Sequence, residues 1–228
     1  YAHVADRDNV AGITADMTAS GIDLLMGGGR KALSEQLPEG GSRLDEFRAL
    51  GYRVVLEPEQ IDTLSGLPVV AAVADKHLPA IAERGDYLPQ ATRKALELLS
   101  ADNDEGFFLM VEGSQIDMAC HGHDAIRLFN EMCDFERAVA AAMDFADSHP
   151  GTLVIVTADH ETGGLTLPSG ESDFTLPDSG VMVEFSTGGH SASMVPVYLY
   201  GTGADRIRGL MDNTELANRI KQLIAERR

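Results

Sequence analysis

Positive charge is scarce in this 228-residue chain. Against 36 Asp and Glu stand 18 Lys and Arg, giving a formal net charge of −18 at pH 7. So acidic a surface excludes a general grip on nucleic acid or on an anionic membrane and favours cations. Long apolar runs are missing as well. None approaches the ~20 residues that a membrane-spanning helix needs. Cysteine is nearly absent: Cys120 and Cys133 are too few for a disulfide scaffold and read as a free pair. There is no internal repeat and no low-complexity tract. Hydrophobic residues at 44% and charged residues at 24% exclude disorder as a description of the whole chain. The length is enough for a domain with a real core.

What is present is an alternation of short apolar runs with amphipathic stretches. Residues 22–26 read as a strand running into Gly27-Gly28-Gly29. Residues 52–56 and 69–74 are further strand candidates, and 107–111 and 153–156 are the two clearest buried ones. Residues 195–200 give a sixth, interrupted by Pro196. Helical spacing appears between them. Val10, Ile13 and Met17 share a face, as do Ala95, Leu96, Leu98 and Leu99. From Asp124 to Ser148 the apolar positions Ile126, Phe129, Cys133, Val139 and Met143 recur at three-to-four-residue steps. A last helix follows Asp212, with Glu215 placed for a capping box. The pattern predicts a single α/β domain over residues 1–228, with a mostly parallel sheet flanked by helices on both faces. A Gly-, Ser-, Thr- and Pro-rich excursion is expected at about 163–189.

Ligands of open α/β sheets gather at the carboxyl ends of strands. Three predicted strand boundaries here carry acids and imidazoles. Glu112, Asp117, His121 and His123 follow the run at 107–111. Asp159 and His160 follow 153–156, and Gly188-Gly189-His190 precedes the final strand. Mixed carboxylate and imidazole suit zinc, while an all-oxygen set suits magnesium. Asp117 and His121 are four apart, so one helical turn puts both on one face. Read alone, Asp117 is a helix cap and Asp159 a turn acid. Together, the three clusters favour metal. His123 reads as a supporting neighbour, His3 as support for the Arg7 segment, and His77 and His149 as loop residues. The triple glycine before Arg30 and Lys31 lacks the phosphate-loop spacing and reads as a structural turn. His160-Glu161 begins like a zinc-protease helix, but Gly164 stands where the second His belongs.

The segments Val-Glu-Gly-Ser-Gln-Ile-Asp (111–117) with His121, Thr-Ala-Asp-His-Glu-Thr-Gly-Gly (157–164) and Thr-Gly-Gly-His-Ser (187–191) resemble the metal-binding motifs of the alkaline phosphatases, in the same order. His3 and Arg7 match that family's His-to-Arg spacing, and the resemblance runs from about Ala2 to the end. It implies two zinc ions and one magnesium. Asp117, His121 and His190 would hold one zinc, Asp159 and His160 the other, and Glu112 the magnesium. Arg7 would hold two phosphate oxygens. It further implies hydrolysis of phosphate monoesters through a phosphoserine intermediate at neutral-to-alkaline pH, in a periplasmic or extracellular enzyme.

The family's nucleophilic serine, its neighbouring aspartate and a threonine ligand of magnesium have no counterpart in these residues. The expectation is therefore a carboxyl-terminal portion, incomplete at its amino-terminal end and itself inactive or nearly so. The resemblance also implies a homodimer, although the short His160–His190 gap leaves room for only a small version of the family's dimer crown. The competing readings are a non-catalytic metal- or phosphate-binding module, an inert fragment, and a phosphomutase or sulfatase of the same superfamily.

Overall fold

The computed structural model describes residues 2–168 and 182–226, which fall into two compact units, 1–111 and 112–228.

The first unit is built on a parallel sheet. Its elements are α1 (Val10–Ala19), β1 (Leu24–Gly27), α2 (Arg30–Leu33), α3 (Arg43–Ala49), β2 (Arg53–Val55), β3 (Val69–Ala72), α4 (Ile81–Arg84) and α5 (Tyr87–Ser100). The strand order is β1-β3-β2, with Leu24 and Arg53 both opposite Val69. The central strand is buried at every residue, which a continuous Val-Val-Ala-Ala run permits. Alternate residues serve opposite faces. Val69, Ala71 and Val73 pack with Tyr87, Ala91 and Leu98 of α5. Val70 and Ala72 pack with Leu33, Leu44 and Phe47 of α2 and α3, and Met17 of α1 joins them. Helices thus cover both faces, as the sequence predicts.

The triple glycine is a packing turn. A Cβ on Gly28 would fall 1.7 Å from the carbonyl oxygen of Lys76, so only glycine fits. Arg30 then pairs with Asp75 at 2.8 Å instead of facing a ligand.

The second unit contains α6 (Gln115–His121), α7 (Ala125–Ser148), β4 (Leu153–Thr157), β5 (Glu161–Thr162), β6 (His190–Ser191), β7 (Val197–Gly201) and α8 (Asn213–Ala225). β4 and β7 pair antiparallel, from Leu153 opposite Gly201 to Thr157 opposite Val197. The described stretches that follow β4 and precede β7 run antiparallel to each other. β5 pairs with β6, Thr162 opposite His190, and Thr166 bridges to Glu184 further out. Part of the predicted excursion, residues 169–181, lies outside the described residues.

Three local expectations change. Residues 107–111 form no strand, because no described residue offers them a ladder, and Phe108 is 72% exposed. Apolar content marks a run that prefers burial; only a hydrogen-bonding neighbour makes it a strand. On α7, Ile126 and Phe129 are 78% and 69% exposed, while Leu128, Glu131, Asp134, Ala138 and Ala141 face inward. An ion pair of 2.8 Å between Asp134 and Arg137 makes the inward acid tolerable. At α8, Asp212 occupies the cap position but makes no side-chain capping bond.

Candidate metal centre

Two local structures deliver the predicted ligands. α6 is short, and its i, i+4 spacing puts Asp117 and His121 on one face with Asp117 Oδ2 3.4 Å from His121 Nε2. The β5–β6 pairing brings the chain after β4 against the chain before β7. His190 Nε2 thereby comes 3.2 Å from His121 Nε2 and 3.6 Å from Asp117 Oδ1. The His160 ring stacks on His190 with centroids 3.6 Å apart. Asp117, His160 and His190 each offer a ligand atom within 4.8 Å of the others. Four residues from three separate stretches therefore converge.

The hydrogen bonds around this group fix which atoms are free. His121 Nδ1 lies 2.7 Å from the Gly188 carbonyl. A carbonyl only accepts, so Nδ1 carries the proton and Nε2 of the neutral ring keeps its lone pair. Thr162 donates to Asp117 Oδ1 at 2.6 Å and lies 3.1 Å from His160 Nδ1. Its one proton is spent on the carboxylate, so the hydroxyl accepts from His160 Nδ1–H. His160 Nε2 is then the free nitrogen, and Asp159 Oδ2 stands 3.1 Å from it. Lone pairs aimed at shared space, each supported from behind by a hydrogen bond, suit a divalent cation.

Glu161, adjacent to His160, ties the two strands together. Its carboxylate accepts from the Ser191 hydroxyl and from the backbone N–H of Leu165 and Gly164. These bonds, the Ser191 bond above all, hold its carboxyl below the usual range. Burial pushes the Cys120 thiol up, with Asp117 and Glu161 adding to the effect, and both cysteines are free.

Neither Asp159 nor Glu112 belongs to the Asp117–His160–His190 group. Asp159 touches His160 but is 86% exposed along its side chain. Glu112 is exposed, and no three acidic, imidazole or thiol groups gather around it among the described residues. Arg7 belongs to the first unit, exposed in a turn before α1.

Thr162 and Glu161 were not legible as site residues. A period-two reading would have found Thr162, because it follows His160 by two at the start of a short strand. Thr162→Val keeps the shape and removes the hydroxyl, leaving Asp117 without this donor and His160 Nδ1 without this acceptor. Zinc affinity is expected to fall about tenfold, read by competition with a chromophoric chelator. Thr162→Ser, which retains the bond, is expected to stay close to the unsubstituted chain.

These features define an α/β chain with a carboxylate–imidazole centre suited to divalent metal. A model of the alkaline phosphatase family matches residues 2–179. The chain is 33% identical to the streptomycin-6-phosphate phosphatase of Streptomyces griseus, across 94% of this chain and 62% of that protein. It is 30% identical to alkaline phosphatase 3 of Bacillus subtilis, across 87% and 57%. The solved alkaline phosphatase of the Antarctic bacterium TAB5 superposes with a TM-score of 0.89 at 34% identity, covering 99% of this chain and 67% of that one. A variant of that enzyme has Mg bound in its M3 site. This chain belongs to the alkaline phosphatase family. It spans about three-fifths of the length of the curated relatives just described. The Streptomyces alignment runs over 280 positions, more than this chain's 228 residues, so that relative carries inserted segments absent here.

Proposed function

We propose that this chain is the metal- and phosphate-binding portion of a phosphatase acting on phosphate monoesters, with the serine nucleophile supplied from outside these residues. One observation carries the reading: His121 Nε2 and His190 Nε2 lie 3.2 Å apart beside the Asp117 carboxylate, with His160 stacked against them. Asp117, His121 and His190 would hold one zinc, and Asp159 and His160 would contribute to a second. Glu112, five residues before Asp117, would serve magnesium together with groups from elsewhere in the parent enzyme.

Bound divalent ions supply positive charge beside the attacking and departing oxygens of a phosphoryl group. The chain's own residues prepare for this. The Gly188 carbonyl and Thr162 hydroxyl keep the outer ring nitrogens protonated and the inner ones free. Glu161 holds the strand that carries His190. Arg7 offers a planar fork that matches two phosphate oxygens. None of these groups addresses the leaving alcohol, so a range of phosphorylated small molecules is the expected substrate class, in keeping with the name of the Streptomyces relative. Export to the periplasm or the exterior and assembly as a homodimer belong to the same proposal. No described helix is long and apolar enough to cross a membrane.

The test is metal analysis of the purified chain together with hydrolysis of 4-nitrophenyl phosphate in zinc and magnesium. Bound zinc with turnover near the blank is the expected outcome. A chain that retains no zinc would sink the metal assignment. Robust turnover would mean that the nucleophile lies within these 228 residues.

A further inference from the structure

The geometry points to His123 as a positioning residue that, with Phe185, latches the loop before His190 onto the end of α6 and so assembles the metal centre. The inference rests on the metal-binding reading just given. α6 ends in a tight turn: His123 N donates to Cys120 O at 3.1 Å and Asp124 N to Ala119 O at 3.0 Å. In that motif the residue at the His123 position takes a left-handed backbone and is usually glycine. His123 has φ +51, and a glycine, Gly122, sits unused one position earlier. A β-carbon at such a place costs stability. The ring compensates by what it reaches.

Its Nε2–H donates to the Thr187 carbonyl at 2.8 Å, and the ring stacks on Phe185 with centroids 4.9 Å apart and planes within 7°. Phe185 in turn packs against Ala119, Cys120 and Leu128. Two residues earlier, His121 Nδ1 donates to the next carbonyl, Gly188 O. Two imidazoles from one helix end thus hold consecutive carbonyls, and His190 follows two residues later. His121 is spoken for as a ligand. His123 is free to hold the loop whether or not metal is bound.

His123→Gly separates the ring from the backbone, because glycine suits the turn. The latch predicts opposite signs: the thermal midpoint of the metal-free chain stays level or rises, while zinc affinity falls about tenfold or more. Hydrogen exchange of the 185–190 segment should quicken in the metal-free variant. Phe185→Ala approaches the same contact from the loop side, and the double variant should lose no more affinity than the worse single one. The visible spectrum of the cobalt-substituted chain reports whether His190 still completes the coordination. Unchanged zinc affinity, cobalt spectrum and exchange in His123→Gly would overturn the latch, as would strictly additive losses in the double variant. Should His123→Gly fail to fold, Phe185→Ala alone decides by the same readouts. An unsubstituted chain that binds no zinc defeats the metal reading, and the exchange measurement still judges the latch.

Discussion

Asp117→Ala should cost the chain its zinc-dependent stability. The Asp117 carboxylate faces both His121 Nε2, at 3.4 Å, and His190 Nε2, at 3.6 Å, so its removal takes away the only carboxylate of the Asp117–His160–His190 group. Loss of a supporting neighbour weakens metal sites by about 10- to 100-fold, and loss of a ligand should exceed the upper figure. The consequence for folding follows by mass action. Zinc at about a thousand times its dissociation constant stabilises the folded state by about 4 kcal/mol; after a hundredfold weakening the same zinc contributes only about 1.4 kcal/mol. For a chain of this size the difference is roughly 5 to 10 °C in unfolding temperature. Calorimetry with zinc and with chelator measures it: the zinc-dependent rise should largely vanish in Asp117→Ala, while the metal-free midpoints stay close. An undiminished rise would mean that zinc binds elsewhere.

The largest effect on folding itself is expected in the first unit. Phe47 is 0% exposed and lies under β3, in a cluster with Leu33, Leu44, Val70 and Ala72. Its ring meets that of Tyr52 edge-on at 5.0 Å, and the Tyr52 hydroxyl donates to Ile22 O at 2.9 Å. Phe47→Ala removes apolar burial, leaves a cavity and loosens Tyr52, which ties β2 to the chain entering β1. The expected loss is about 3–5 kcal/mol. Urea unfolding would show it as a lower midpoint with an unchanged slope. Leu50→Ala, one turn on and exposed, is the control and should stay within about 0.5 kcal/mol. Equal behaviour of the two variants would show that the cluster is not a core.

Legibility in the sequence followed the range of each interaction. β1, β2 and β3 were readable because each is a short apolar run bounded by turn residues, and the three find partners within their own unit. The 107–111 run has the same composition but no ladder among the described residues, so composition misled. The apolar spacing of α7 was real, yet the inward face carries Glu131 and Asp134 while Ile126 and Phe129 look outward. Periodicity reports which residues share a face, not which way that face turns. Asp117 and His121 were legible as a pair because four residues of helix settle their distance. Thr162 and Glu161 were not read as site residues, and His123 was read as a supporting neighbour without its partners, since each acts through a residue or segment far along the chain or through a turn whose handedness composition does not reveal.

By itself the sequence determined the parallel sheet with its helices, the glycine turn, the chemical types of the site and their grouping into three stretches, because these depend on local period, steric allowance and charge. The meeting of those stretches was decided only in three dimensions. Pairing of β5 with β6 set His190 against His121 and His160. A threonine hydroxyl and the Gly188 carbonyl then fixed which imidazole nitrogens stay free. A hydrogen bond acts over about 3 Å of space, whereas the partners here are separated by up to 69 residues of chain, and no local pattern encodes that closure.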